Sequence, residues 1–268
     1  MIRGINLLIV GLTQYFTAIF LLRNGDGSAV FLDVNFLLLV SSTVIITSAG
    51  YLINDYYDIK IDFVNRPDRV IVGKTLKRRW IIISHTFLNI LGIAIGFWLS
   101  TTIGLINFSA AFLLWLYSNQ LKRLPLIGNL AIALLTGTTL FLVGQYFQER
   151  VYLVFCYAVF GAFITLIREI IKDMEDMKGD EKFGCRTLPI VIGTLRTKKV
   201  ISLIAVFFGL TVFLLMSHIN LILPITLSIV LIFLIFALLQ ADTKKGYHQL
   251  STFCKWIMLA GIVSMIWI

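Results

Sequence analysis

Nine stretches of mostly apolar residues, each close to 20 residues long, run through this chain at 5–22, 34–53, 80–99, 103–119, 127–147, 151–171, 200–216, 219–240 and 252–268. A bilayer's hydrocarbon core is about 30 Å thick, and roughly 20 helical residues cross it. Inside that core no water is available to the backbone, so each segment must satisfy its own N–H and C=O groups, which a helix does. The expected fold is therefore an all-α membrane protein of nine transmembrane helices, forming one membrane-embedded domain over residues 1–268. The chain is 59% hydrophobic and only 14% charged, against about half and a quarter in soluble domains. Residues 1–22 resemble a secretory signal, but only Arg3 precedes the apolar run and no small-residue cleavage site follows. They read as the first retained span.

A formal net charge of +9 could suggest a nucleic-acid partner. Its distribution points to the membrane instead. With the N-terminus inside, all of the 23 Lys and Arg except Arg23 and Arg150 fall in inside segments. Cytoplasmic loops of membrane proteins carry this excess and meet anionic headgroups. Nine spans then put the N-terminus and the acidic loops in the cytoplasm and the C-terminus outside. Cys156, Cys185 and Cys254 are too far apart for a CxxC or zinc pattern and read as buried or incidental thiols. Nothing in the sequence asks for an obligate protein partner.

The two longest inside loops follow spans 2 and 6, and both are acidic. The first carries Asn54, Asp55, Asp58 and Asp62. Residues four apart on a helix drift by only about 40°, so Asn54, Asp58 and Asp62 share a face with Asp55 to one side. The second carries Asp173, Asp176 and Asp180, three and four apart, with Glu169 extending the face toward the membrane. Stacked carboxylates repel, more so near a bilayer, where an acidic residue at a helix centre costs about 2.5–3.5 kcal/mol. A cation relieves this. Carboxylate oxygens suit Mg²⁺, which keeps waters and is usually completed by substrate phosphates. The competing reading is a solvated, salt-bridged loop served by Lys60, Lys172, Lys178 and Lys182. Two clusters on one membrane side, each hard against a span, favour the metal.

Each cluster is followed in the same order by an arginine, a proline and a glycine: Arg66, Pro67, Gly73 after the first, and Arg186, Pro189, Gly193 after the second. A duplicated four-helix unit would produce this, and so would chance. Arg66, Arg69, Lys122, Arg123 and Arg186 could meet phosphate oxygens or could follow the positive-inside rule alone; the matching places of Arg66 and Arg186 after the carboxylates favour phosphate for those two. Lys77, Arg78, Arg79, Lys198 and Lys199 abut the starts of spans and read as topology signals. His85 lies inside span 3, either satisfied in the core or lining a cavity, while His218 and His248 sit near loops. No constellation for nucleophilic catalysis appears. Phe, Tyr and Trp are 13% of residues; most would face lipid, and a few lining a cavity could stabilise an allylic cation through their π faces.

The segment Asn54 to Asp62 resembles the NDxxDxxxD motif of the UbiA superfamily of intramembrane prenyltransferases, and Asp176 and Asp180 with Gly184-Cys185-Arg186-Thr187-Leu188 resemble its second DxxxD motif. With the nine spans, the resemblance covers essentially the whole chain. It implies a helical bundle around a central cavity, capped by the motif-bearing cytoplasmic loops. It implies Mg²⁺ held by Asn54, Asp58 and Asp62 on one side and Asp176 and Asp180 on the other, through a prenyl diphosphate. Mg²⁺ and basic groups would neutralise the leaving diphosphate while water is excluded. A lipophilic acceptor would attack the allylic cation, with isoprenoid tails lying between helices and open to membrane lipid.

Residues 117–129 and 168–176 look most like the branch that makes archaeal-type ether lipids, in which geranylgeranyl passes to the hydroxyl of geranylgeranylglyceryl phosphate. The family spaces a tyrosine and a lysine four apart in the first of these; here Tyr117 and Lys122 are five apart. Aromatic quinone precursors and chlorophyllide-like acceptors are the alternatives. A divalent-cation transporter is a further one, disfavoured because transporters keep such carboxylates near the bilayer midplane.

Overall fold

The computed structural model describes residues 2–23, 25–65 and 77–268. Among the described residues it is helical with no strand, and nine helices are long and apolar enough to cross a membrane: Gly4–Leu22, Val34–Val64, Arg78–Leu99, Thr101–Asn119, Ile127–Phe147, Val151–Lys182, Thr194–Met216, Ile222–Gln240 and Lys244–Trp267. All nine expected spans are present. Spans 7 and 9 begin earlier than hydropathy suggests, because their first turns are basic.

The helices, in chain order, are α1 (Ile2–Phe16, continuing as a π-helical turn Thr17–Leu22), α2 (Gly27–Phe31), α3 (Val34–Asn65), α4 (Arg78–Leu99), α5 (Thr101–Asn119), α6 (Ile127–Phe147), α7 (Val151–Lys182), α8 (Leu188–Ile192), α9 (Thr194–Met216), α10 (Ile222–Gln240) and α11 (Lys244–Ser264). Two of them, α3 and α7, are 32 residues long. At 1.5 Å per residue each measures about 48 Å, well beyond the roughly 30 Å hydrocarbon core. The surplus, about three turns at each C-terminal end, is where the acidic residues lie. The sequence pattern suggested loops there. The structure corrects this: both motifs ride on unbroken helical extensions, which the four-residue spacing of their side chains favours.

The chain forms two compact units. One comprises residues 1–121 with 139–151, the other 122–138 with 152–268. In the first, α3 packs against α4 and α5. Gly92 permits a close approach, since a Cβ there would collide with Ile46 and the Ser42 carbonyl. Buried polar side chains are paired across these helices. Asn107 Nδ2 donates to Ser42 Oγ and to the Gly92 carbonyl, both at 3.1 Å. Gln14 Nε2 donates to Thr43 Oγ1 at 3.2 Å and to the Thr139 carbonyl at 2.9 Å. His85 is a satisfied core histidine. Its Nδ1 donates to the Ala49 carbonyl at 3.0 Å, which leaves Nε2 to accept from Asn89 Nδ2 at 3.2 Å. At the other end of α3, Tyr146 donates to both oxygens of Asp33 at 2.9 Å, and Asp33 caps the helix by accepting from the Phe36 N–H.

In the second unit, α9 packs on α10 and α10 on α11. Lys198, on the second turn of α9, is more than a topology signal. It is 2% exposed, and its Nζ donates to the Leu239 carbonyl at 3.1 Å and to Asp242 at 2.8 Å. It thus closes the C-terminal end of α10. An apolar cavity of about 370 Å³ opens among α7, α9, α10 and α11, lined by Tyr157, Phe160, Met216, Leu227, Trp256 and Gly261 among others. Phe160 and Asp176 are sixteen residues apart on α7, about 24 Å, so this cavity is remote from the acidic end of that helix. Cys156, Cys185 and Cys254 are buried and form no disulfide among the described residues.

Candidate functional site

The first acidic face stands on the last three turns of α3. Asn54, Asp55, Asp58 and Asp62 are each partly buried, between buried Ile53, Ile59 and Ile61. Ile59 packs on Ile81 of α4, with Leu52 and Tyr56 against the pair. This apolar anchor sets the rotation of the extension. Tyr56 and Tyr57 pack edge to face at 5.3 Å beside it. Arg66, with Pro67, Arg69 and Gly73, lies outside the described residues. Tyr117 is partly buried near the C-terminal end of α5. That helix ends at Asn119, and a separate 3₁₀ turn, Leu121–Arg123, carries Lys122 and Arg123. The helix therefore ends between Tyr117 and Lys122.

The second acidic face is on the end of α7 and is more heavily braced. Asp173 accepts through Oδ2 from Asn129 Nδ2 on the first turn of α6, at 2.9 Å, and Asn129 is buried. Glu175, also buried, accepts from Nδ1 of His248 on α11 at 3.0 Å. Asp176 and Asp180 are partly buried one and two turns beyond Asp173. The helix stops at Gly184, whose φ of +72° reverses the chain. The Cys185 N–H then returns to the Asp180 carbonyl at 2.9 Å. One residue later the Arg186 N–H donates to the Arg123 carbonyl at 2.8 Å. That bond ties the turn after the second motif to the Lys122–Arg123 turn. Two basic segments, joined between Arg123 and Arg186, thus meet beside Asp180. The sequence marks all three cations but carries no sign that they share a turn pair. It missed the bracing roles of Asn129 and His248, for which the only sequence signal was a polar residue at a helix end.

Among the described residues no three His, Cys, Asp or Glu side chains already converge as a metal cage. The donor set still fits one cation type. Mg²⁺ is rarely held by an all-protein cage; it takes one or two carboxylates and completes its shell with waters and substrate phosphates. Faces of oxygen donors such as Asn54/Asp58/Asp62 and Asp176/Asp180 match that chemistry, and the one cysteine near them in sequence, Cys185, is buried.

Nine spanning helices, two of them prolonged into carboxylate-bearing ends, define an integral, multi-pass membrane protein whose polar chemistry is concentrated at helix ends. The pattern of the UbiA prenyltransferase family matches residues 12–260, and the chain belongs to that family of intramembrane prenyltransferases. It is 34% identical over 228 residues to a digeranylgeranylglyceryl phosphate synthase of Methanosphaera stadtmanae, covering 82% of each chain. It is 35% identical over 244 residues to the protein of the same name from Methanococcoides burtonii, covering 85% of this chain and 83% of that one. Among solved structures, one of digeranylgeranylglyceryl phosphate synthase superposes with a TM-score of 0.76 at 27% identity, over 98% of this chain and 94% of that one. A UbiA homologue from Archaeoglobus fulgidus bound to GPP and Mg²⁺ shares the fold, with a TM-score of 0.70 at 14% identity over 99% and 98% of the two chains.

Proposed function

We propose that the chain transfers a geranylgeranyl group from geranylgeranyl diphosphate to the free hydroxyl of geranylgeranylglyceryl phosphate. The observation that carries this is the pair of carboxylate faces on the extended ends of α3 and α7, the second bounded by the joined Lys122–Arg123 and Arg186 turns. The named relatives support the choice of acceptor. The family match over residues 12–260 supports reading residues 1–268 as one membrane-embedded prenyltransferase domain. The positive-inside count supports a cytoplasmic N-terminus and cytoplasmic acidic ends, with the C-terminus outside.

Asn54, Asp58 and Asp62, with Asp176 and Asp180, would hold Mg²⁺. Bound there, Mg²⁺ supplies Lewis-acid neutralisation of the diphosphate's charge. Arg66, Lys122, Arg123 and Arg186 bind diphosphate oxygens by charge-assisted hydrogen bonds that strengthen as the leaving group gains charge. Asp55, Asp173 and Tyr117 shape the substrate pocket around them. The allylic C1–O bond breaks with its electron pair going to the diphosphate oxygen. The acceptor's hydroxyl oxygen bonds to C1 and its proton passes to the departing diphosphate, so an ether and protonated diphosphate result. Apolar helix walls keep water, the competing nucleophile, away from the cation.

Purified protein in lipid should form the diether only with divalent metal present. The test offers geranylgeranylglyceryl phosphate and an aromatic quinone precursor together and identifies products by mass. Undiminished turnover by the double variant Asp58→Ala, Asp176→Ala would overturn the catalytic reading, and prenylation of the aromatic alone would overturn the acceptor.

A further inference from the structure

The face of α7 that bears Asp176 continues toward the membrane as a polar stripe. Thr165 and Lys172 are seven residues apart, two helical turns, so they lie nearly in line, with Arg168 and Glu169 between them. Arg168 Nη1 donates to Glu169 Oε1 at 2.7 Å, and Lys172 Nζ donates to Oε2 at 2.9 Å and Oε1 at 3.2 Å. Glu169 is 8% exposed. Two cations thus share the Glu169 carboxylate, with Asp173 next in sequence to Lys172. Two further polar atoms, Arg168 Nε and Thr165 Oγ1, are buried without a hydrogen-bond partner among the described residues. A structural ion network is expected to satisfy its donors, because an unmade buried hydrogen bond is costly. An unpaired guanidinium N–H, a hydroxyl and two cationic side chains on one stripe match an anion with several oxygens.

Depth narrows the choice. Counted from Val151, about 20 residues cross the hydrocarbon, so Arg168 and Lys172 fall on the turn where α7 leaves it. A lipid's phosphate lies at that level, whereas the acidic face begins beyond it, at Asp173. A phosphate monoester carries about 1.5–2 negative charges near neutral pH, which two cations complement. We propose that Thr165, Arg168 and Lys172 form a subsite for the phosphate monoester of the acceptor lipid, separate from the carboxylate faces that serve the diphosphate. This rests on the reading of the acceptor given above.

The test is steady-state kinetics in lipid bilayers with geranylgeranyl diphosphate saturating and either geranylgeranylglyceryl phosphate or its dephosphorylated counterpart as acceptor. The wild type should favour the phosphorylated acceptor. Arg168→Gln should raise KM for it by about tenfold or more, the effect of one lost charge-assisted hydrogen bond, with KM for the dephosphorylated acceptor and for the donor unchanged. Arg168→Lys should recover part of the loss. Glu169→Gln should act in the opposite sense and lower KM for the phosphorylated acceptor, because it frees both cations. A purely structural triad predicts that Arg168→Gln and Glu169→Gln weaken both acceptors alike, and that result overturns the subsite, as does a rise in donor KM. If Arg168→Gln fails to fold, Lys172→Gln carries the same comparison. Equal use of both acceptors by the wild type sinks the subsite alone; use of neither sinks the acceptor assignment and the subsite with it.

Discussion

Asn129, on the first turn of α6, donates through Nδ2 to Oδ2 of Asp173 on α7 at 2.9 Å, and both lie in the compact unit that also holds Lys122, Arg123 and Arg186. A buried amide donor thus fixes the carboxylate that begins the second acidic face. A hydrogen bond to a charged group contributes about 1.5–3 kcal/mol. Asn129→Leu removes the donor at similar volume and should lower kcat/KM by about tenfold or more while the helical circular dichroism stays native. Asn129→Asp sets a second carboxylate beside the first and should do worse in the same assay, a difference that loss of packing alone does not produce.

Much of this was legible in the sequence. Hydropathy located all nine spans, since a helix in hydrocarbon has to be apolar for about 20 residues. The spacing of Asn54, Asp58 and Asp62 located a helical face. Two things were not legible, for a physical reason. Hydropathy ends where charge begins, so it truncated α3 and α7 at the membrane surface, although nothing in Asp-rich segments forbids the helix to continue. And pairings that join distant segments, such as Arg186 to Arg123 through the backbone or Lys198 to Asp242, leave no local pattern at all.

Divalent metal should be required for turnover but contribute little to the fold. No three acidic side chains already converge among the described residues, so on the proposed reading substrate phosphate would complete the metal's shell. Chelation should abolish activity and shift the unfolding midpoint in detergent by no more than a degree or two. Adding Mg²⁺ together with an unreactive diphosphate analogue should raise that midpoint, whereas either alone should not. A large stabilisation by Mg²⁺ alone would indicate a preformed cage and contradict this view.

The Lys198–Asp242 pair is asymmetric: the lysine side chain is 3% exposed and the aspartate 79%. Removing Asp242 leaves a buried cation with the Leu239 carbonyl but no counter-charge, while removing Lys198 lets an exposed carboxylate return to water. Asp242→Ala should therefore cost more stability than Lys198→Met, by about 1–2 kcal/mol, given that exposed partners contribute little. Thermal unfolding of the two variants side by side decides the order. Prenyl transfer per folded molecule should be unchanged in both.

Gly184 ends α7 with a φ of +72°, and a Cβ placed on it would meet nothing within 4 Å. Steric space is therefore not the constraint; backbone conformation is. A non-glycine residue in the left-handed region costs about 1–2 kcal/mol. Asparagine tolerates that region better than other side chains. Gly184→Val should lose stability by about that amount and, by shifting the Cys185–Arg186 turn away from Arg123, should also lower activity. Gly184→Asn should retain most of both. If instead Gly184→Val kept full activity while losing stability, the bond between Arg186 and Arg123 would be a feature of the fold and not of the site. Measuring unfolding midpoint and turnover on the same two preparations separates these outcomes.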